Sequence, residues 1–132
     1  MTGLMLAAAL LIAPVSGTSR IKPPGGAFAP LTATQSADYG TTVDAIHGTV
    51  KVAPSAAQKA LANGAVFTVT QSDDGLTVLT TTSCRHTFTV STRTGGFITH
   101  TGKMTITAHK NAKWQVSRHC RYLRVLRGTV EG

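Results

Sequence analysis

Short segments of β-forming residues, separated by turn signals, dominate the chain from residue 46 to residue 117. Apolar and polar residues alternate within them, as in Phe67-Thr68-Val69-Thr70, and this alternation indicates strands with one buried face. Threonine, which favours pleated surfaces, occurs 22 times and supports the same interpretation. The predicted strands cover residues 46–52, 65–70, 76–82, 87–92, 97–100, 104–108 and 113–117.

The spacing of these strands predicts a mainly β chain with a single sandwich or barrel-like domain. One short helix is expected over residues 55–64, because Ser55 and Gln58 have capping-box spacing and Asn63-Gly64 supplies a stop. Aromatic residues make up 5% of the chain, so the core must rest on aliphatic residues and a few large anchors. The expected anchors are Phe67, Phe88, Phe97, Trp114 and Tyr122.

The beginning of the chain predicts export. Residues 4–15 read LMLAAALLIAPV, an apolar run too short to span a bilayer and typical of a signal peptide. We expect a signal peptide over 1–17 with cleavage before Thr18, and the alternative is a buried N-terminal helix. Residues 18–39 are rich in Pro, Gly, Ser and Thr and are interpreted as a linker. The β-rich domain would then cover 40–132, in a secreted or cell-surface protein.

Positive charge is concentrated in the second half of the chain. The formal net charge is +8, and nine Lys or Arg residues lie between Arg85 and Arg127 without an Asp or Glu among them. Such asymmetry suits an anionic partner, either an envelope polymer or a lipid surface. The predicted ligand-binding residues are Lys103, Arg118, Arg121, Arg124 and Arg127.

The segment from Arg118 to Arg127 fits two structures. The strand is favoured, although parity would divide its arginines between two faces. As a helix, the segment would gather its four arginines on one arc, with Ser117 as N-cap and Gly128 as stop. That basic amphipathic helix would make the chain a membrane-surface protein.

The two cysteines, Cys84 and Cys120, predict a disulfide in an exported chain. The alternatives are free thiols or a metal site that also uses His86 and His119. Adjacent strand residues point to opposite faces, which weighs against His119 and Cys120 binding one ion.

Neither catalysis nor nucleic-acid binding is expected. The sequence contains no nucleophile elbow, no zinc-protease motif and no phosphate-binding glycine loop. Its basic half also lacks the interleaved aromatic residues of RNA-binding surfaces. We therefore expect a non-enzymatic binding module.

The order of features from Gly48 to Gly132 resembles secreted bacterial domains of the haem-transport-associated (HtaA) type. The resemblance lies in GTVKVAPSAAQKALANGAVFTV, in FTVSTRTGGFITHTGKMTIT and in the terminal LRGTV. His100 and Gly102 fall at the places of the family's His-Gly strand pair. The resemblance implies a β-rich secreted fold. It also implies the alternative of a haem- or metal-ligand-binding module in which His100 is a ligand; otherwise no cofactor is expected.

Overall fold

Two β-sheets pack against each other across a common apolar core. The computed structural model describes residues 10–55, 58–81, 86–94, 96–101, 104–108, 111–128 and 130–131. In chain order the strands are β1 (Leu10–Gly17), β2 (Arg20–Lys22), β3 (Ala29–Pro30), β4 (Gln35–Ala37), β5 (Thr41–Asp44), β6 (Gly48–Ala53), β7 (Ala60–Asn63), β8 (Val66–Gln71), β9 (Thr77–Thr81), β10 (Phe88–Thr92), β11 (Phe97–Thr101), β12 (Met104–Ala108), β13 (Ala112–Val116), β14 (Leu123–Arg127) and β15 (Val130–Glu131). The predicted mainly-β fold is confirmed, and it is a sandwich.

The strands divide between a seven-stranded and an eight-stranded sheet. Sheet A has the order β14-β13-β10-β7-β6-β1-β4, and sheet B has the order β15-β12-β11-β9-β8-β5-β2-β3. Neighbours pair antiparallel except β9 and β11, which are parallel because the chain crosses to sheet A through β10 between them. The seven strands predicted between residues 46 and 117 correspond to β6 and to β8–β13.

Large side chains from both sheets fill the space between them. Trp114 and Phe88 come from sheet A, while Phe67 and Phe97 come from sheet B, and each is at most 1% exposed. The expectation for these four anchors is confirmed. Tyr122, the fifth, was expected in the core but is 70% exposed, because it lies in the loop before the edge strand β14, beyond the cover of sheet B.

The predicted helix over 55–64 is wrong. The Gln58 amide does donate to Ser55 Oγ at 3.1 Å, as the capping signal requires, but Ala60–Asn63 forms strand β7 between β6 and β10. Ala60 and Ala62 alternate with exposed or half-buried neighbours and are fully buried. Pairing on both edges and burial of these alanines outweigh the helix propensity of the segment.

The amino-terminal part of the described chain belongs to the sandwich. The predicted boundaries, with a signal peptide over 1–17 and a linker over 18–39, place this part outside the β-rich domain. Strand β1 lies between β4 and β6, with Leu10 and Ile12 at most 2% exposed. The stretch interpreted as a linker contributes β2, β3 and β4. Its Pro and Gly residues form a tight turn, in which the Gly26 amide donates to the Pro23 carbonyl at 2.9 Å. Cleavage before Thr18 stays a prediction about processing.

The structure also decides between the two alternatives for the arginine-rich segment. Residues Arg118–Cys120 form a single 3₁₀ turn, and β14 follows as an edge strand paired with β13. The alternative of a basic amphipathic helix over residues 118–127 is therefore wrong. The favoured strand is confirmed over Leu123–Arg127 but not over Arg118–Cys120.

Candidate functional site

Four of the five predicted ligand-binding residues lie at one end and edge of sheet A. Arg118 lies in the 3₁₀ turn and Arg121 follows that turn, whereas Arg124 and Arg127 lie in β14. All four side chains are exposed. Lys103 lies outside the described residues.

A β-bulge determines where the two strand arginines lie. Arg124 pairs with Gln115 and Val125 with Trp114, but Arg127 pairs with Lys113, so that Leu126 is an extra residue in β14. Without the bulge, parity would place Arg124 and Arg127 on opposite faces. With it, both lie on the outer face of sheet A. The Arg127 guanidinium accordingly donates to Ser91 Oγ at 3.1 Å.

The strand register extends this arrangement across five strands. Directly paired residues share a face, so two rows of outward residues cross sheet A, between rows of buried residues such as Trp114 and Val90. One row consists of Arg124, Gln115, Thr89, Asn63 and Thr49. The other consists of Arg127, Lys113, Ser91, Leu61 and Lys51. We call these two rows the basic face.

Hydrogen bonds hold the polar side chains of the basic face in place. Gln115 Nε2 donates to Thr89 Oγ1 at 3.3 Å, and Asn63 Nδ2 donates to Thr49 Oγ1 at 3.4 Å. Arg127 Nε also donates to the Asn111 carbonyl at 3.2 Å. These bonds keep amide and hydroxyl groups at fixed positions between the cations.

No carboxylate neutralises the basic face from within its own sheet. The described strands of sheet A contain no Asp or Glu. Within the described ranges the only ion pair joins Arg20 and Asp44, at 2.6 Å, and both belong to sheet B. Among the described residues, the cations of the basic face therefore form no ion pair with a carboxylate.

The turn before β14 presents its arginines from a closed loop. The Tyr122 amide donates to Ser117 Oγ, and the Ser117 amide donates to the Tyr122 carbonyl, each at 2.9 Å. Between them His119 and Cys120 adopt φ angles of 66° and 54°. Residues other than glycine rarely adopt such positive φ angles. Apolar residues accompany the charge: Tyr122, Val125 and Leu126 are 70%, 45% and 40% exposed.

Lys51 and Lys113 belong to the basic face but were not among the predicted site residues. Each alternates with apolar residues in a predicted strand, so parity alone could have placed each on an outer surface. The order of strands in sheet A, which aligns them with Arg127, depends on long-range pairing that the sequence pattern does not contain.

The cysteine and histidine predictions have different outcomes. Cys84 lies outside the described residues, and Cys120, which packs partly buried against the core, is not a free thiol; their pairing stays a prediction. His100 is half-buried on the outer face of sheet B, where its Nδ1 lies 2.9 Å from Thr105 Oγ1. In the described part of the chain, no three His, Cys, Asp or Glu residues form a metal-binding group.

A cavity lies elsewhere, where the chain passes from β1 of sheet A to β2 of sheet B. Asp44 lies on its wall. Burial raises the pKa of Asp44, but hydrogen bonds from Arg20 and from the Ile46 amide, together with the charge of Arg20, leave this pKa below its usual value of 3.8. Asp44 is therefore ionised at neutral pH.

The described residues include no helix of the length and apolar character that crossing a bilayer requires. In comparisons with known proteins, no family model, no curated protein and no solved structure matches this chain.

Proposed function

We propose that this chain is a non-enzymatic module that binds an anionic polymer across the basic face, at the cell envelope or outside the cell. The observation that carries the proposal is the strand register. It aligns Arg124, Arg127, Lys113 and Lys51 on one outer face of a sheet whose described strands contain no carboxylate.

The dimensions of the basic face favour a polymer over a single small anion. Arg127 and Lys51 are four strands apart, which corresponds to about 19 Å at the usual spacing between strands. The two rows lie roughly 7 Å apart along each strand. Cations spread over such distances cannot all contact one phosphate, but they can contact successive anionic groups of a chain.

The chemistry between the cations favours a polymer that carries hydroxyl groups. Thr89, Asn63, Thr49 and Gln115 supply hydroxyl and amide groups that can donate or accept hydrogen bonds. The planar guanidinium of Arg124 suits bidentate contact with a phosphate. A polyol-phosphate polymer of the kind found in cell envelopes offers both groups.

Export is part of the same proposal. Cys120 is not a free thiol, which supports an oxidising compartment, because disulfides persist in exported proteins and are rare in the cytosol. We infer that its partner is Cys84, the other cysteine of the chain.

The proposal is tested by measuring binding of the full chain to a polyol-phosphate polymer and to inorganic polyphosphate, with dextran as the neutral control. If four cations each contact a phosphate, affinity should fall by roughly 50- to 150-fold between 50 and 200 mM salt. Dextran should not bind. Binding that is independent of salt, or absent at 50 mM, would contradict the proposal.

Two variants with the same change in charge locate the site. Lys51→Gln removes a half-buried lysine of the basic face, and Lys22→Gln removes a half-buried lysine of sheet B. Lys51→Gln should weaken polymer binding and reduce the slope of log K against log salt by about 0.7–0.9. Lys22→Gln should leave both nearly unchanged, and equal losses in the two variants would indicate a nonspecific effect of net charge.

A double variant and a lipid probe distinguish polymer binding from membrane binding. The double variant Arg124→Gln, Arg127→Gln should lose most of its polymer binding while its thermal unfolding midpoint stays close to that of the parent. Vesicles that contain phosphatidylglycerol serve as the lipid probe. Binding to these vesicles without binding to the polymer would overturn the proposal and assign the exposed Tyr122, Val125 and Leu126 to a lipid surface.

A further inference from the structure

Two histidine side chains meet at the end of the sandwich where β5 turns into β6. His47 lies in that turn, and His86 lies shortly before β10. The centres of their rings are 6.3 Å apart with the ring planes at 61°, and both side chains are exposed. Neither residue belongs to the basic face, so this pair has no role in the proposed function.

Main-chain hydrogen bonds hold the turn that carries His47. The Gly64 amide donates to the Ala45 carbonyl at 2.8 Å, and the Ala45 amide donates to the Ala65 carbonyl at 3.0 Å. These bonds attach the turn between β5 and β6 to the turn between β7 and β8. The backbone position of His47 is therefore fixed by its neighbours.

The segment that carries His86 packs against the same glycine. A Cβ at Gly64, whose φ is 93°, would overlap the carbonyl oxygen of Thr87, so the two backbones are in direct contact. Phe88, the next residue, is fully buried and anchors the segment in the core. None of these contacts involves a residue before Thr18, so they do not depend on the predicted cleavage.

The separation of the two rings suits one metal ion between two imidazole nitrogens. An ion at about 2.0 Å from a ring nitrogen lies roughly 3.2 Å from the centre of that ring. Two such rings can have their centres at most about 6.4 Å apart, when the nitrogens lie on opposite sides of the ion. The observed 6.3 Å falls within this limit. Because both side chains are exposed, each ring can turn a nitrogen towards the ion without disturbing packed neighbours.

The same separation distinguishes between metals. Ligands on opposite sides of the ion occur in the square-planar and tetragonal geometries of Cu²⁺. A tetrahedral ion such as Zn²⁺ would need the ring centres about 5.2 Å apart. Cu²⁺ also binds nitrogen ligands more strongly than the other divalent ions of the first transition row. Copper therefore fits the pair with the smallest movement of the rings.

We propose that His47 and His86 bind one Cu²⁺ ion, with water molecules completing its coordination. With two protein ligands instead of the four of a structural site, we expect a dissociation constant of about 1–100 μM. Neither cysteine takes part, which separates this site from the cysteine–histidine site considered from the sequence. The inference goes beyond the proposed function and does not rest on it, because the pair and the basic face share no residue.

The test is a titration of the full chain with Cu²⁺, followed by calorimetry and by electron paramagnetic resonance. Zn²⁺ and Mg²⁺ serve as comparison ions. The tightest site should hold one Cu²⁺ ion per chain, and its resonance should show splitting from two nitrogen ligands. Zn²⁺ should bind at least tenfold more weakly, and Mg²⁺, which prefers oxygen ligands, should not bind. Absence of copper binding at about 100 μM, or binding of Zn²⁺ as tight as that of Cu²⁺, would overturn the inference.

Variants connect the binding to the two rings. His47→Gln and, separately, His86→Gln should each weaken copper binding by at least tenfold, with unfolding midpoints recorded to confirm that both variants fold. His100→Gln and His119→Gln are the matched controls and should leave copper binding unchanged. Unchanged affinity in either His47→Gln or His86→Gln would refute the site. If Lys51→Gln on the basic face loses polymer binding but keeps copper binding, the two sites are independent.

Discussion

Among single residues, Asp44 should connect the stability of the fold to pH. Its pKa is below the usual value in the folded chain, so its ionised form is favoured by folding. The resulting stability is present above the pKa of the unfolded chain and is lost as the pH falls through the lower folded pKa. Asp44→Asn should therefore reduce the free energy of unfolding at pH 7, by up to about 1 kcal/mol for this partly exposed pair.

Denaturant titrations of the parent and of Asp44→Asn at several pH values check this prediction. The difference between the two proteins should be largest at neutral pH and should disappear once the carboxyl group is protonated in the folded chain. A difference that stays constant down to pH 2 would show that the loss comes from packing and not from ionisation.

A second residue, His119, occupies a backbone conformation that favours glycine. Its φ is 66° in the 3₁₀ turn, and its side chain is exposed. His119→Gly should raise the free energy of unfolding by up to about 1 kcal/mol, because glycine adopts positive φ without steric cost. The same substitution at His100, inside strand β11, is the control and should destabilise the chain. A loss of stability in His119→Gly would contradict the prediction.

At the scale of elements, the sequence pattern located β6, β8–β13 and β14 but not the order in which the strands pair. Alternation identified β8 to β13 because each has one face buried in the core. It failed for β7, whose small alanines also favour a helix, and for β1, where an apolar run also fits a signal peptide. It also failed for β2 to β4, whose Pro- and Gly-rich surroundings fit a linker. The bulge at Leu126 left no signal in the sequence, so the common face of Arg124 and Arg127 could not be predicted.

Strand β1 permits a direct test of the predicted cleavage. A chain that begins at Thr18 would lack β1, including the buried Leu10 and Ile12, and β6 and β4 would lose their shared neighbour. This chain should unfold at a lower denaturant concentration than the full chain, since the loss of one large buried aliphatic residue alone costs about 2–5 kcal/mol. Equal stability of the two chains would show that β1 is dispensable and would support cleavage before Thr18.

The inferred Cys84–Cys120 disulfide would join the segment before β10 to the turn before β14. Replacing both cysteines with serine should lower stability by about 2–5 kcal/mol, the usual cost for a small domain. Thiol labelling of the denatured, non-reduced protein should find no free cysteine, and labelling after reduction is the control. Quantitative labelling of both cysteines without reductant would refute the disulfide.

For the whole molecule, the main reporter of folding is a single side chain. Trp114 is the one tryptophan of the chain and is fully buried between the sheets. Its fluorescence therefore follows the separation of the sheets without interference from another indole. The stability measurements proposed above can all use this one signal.

The separation of charge between the two sheets has a kinetic consequence. The described strands of sheet A carry four basic residues and no acidic one, whereas in those of sheet B the charges of Arg20 and Lys22 are balanced by Asp44 and Glu131. The molecule therefore carries a permanent dipole moment across its thickness, in addition to its net charge. The field of a polyanion exerts a torque on this dipole and rotates the protein before contact, with sheet A leading. Encounters then begin in the productive orientation more often than chance allows, and dissolved ions reduce this advantage as they shorten the reach of the field.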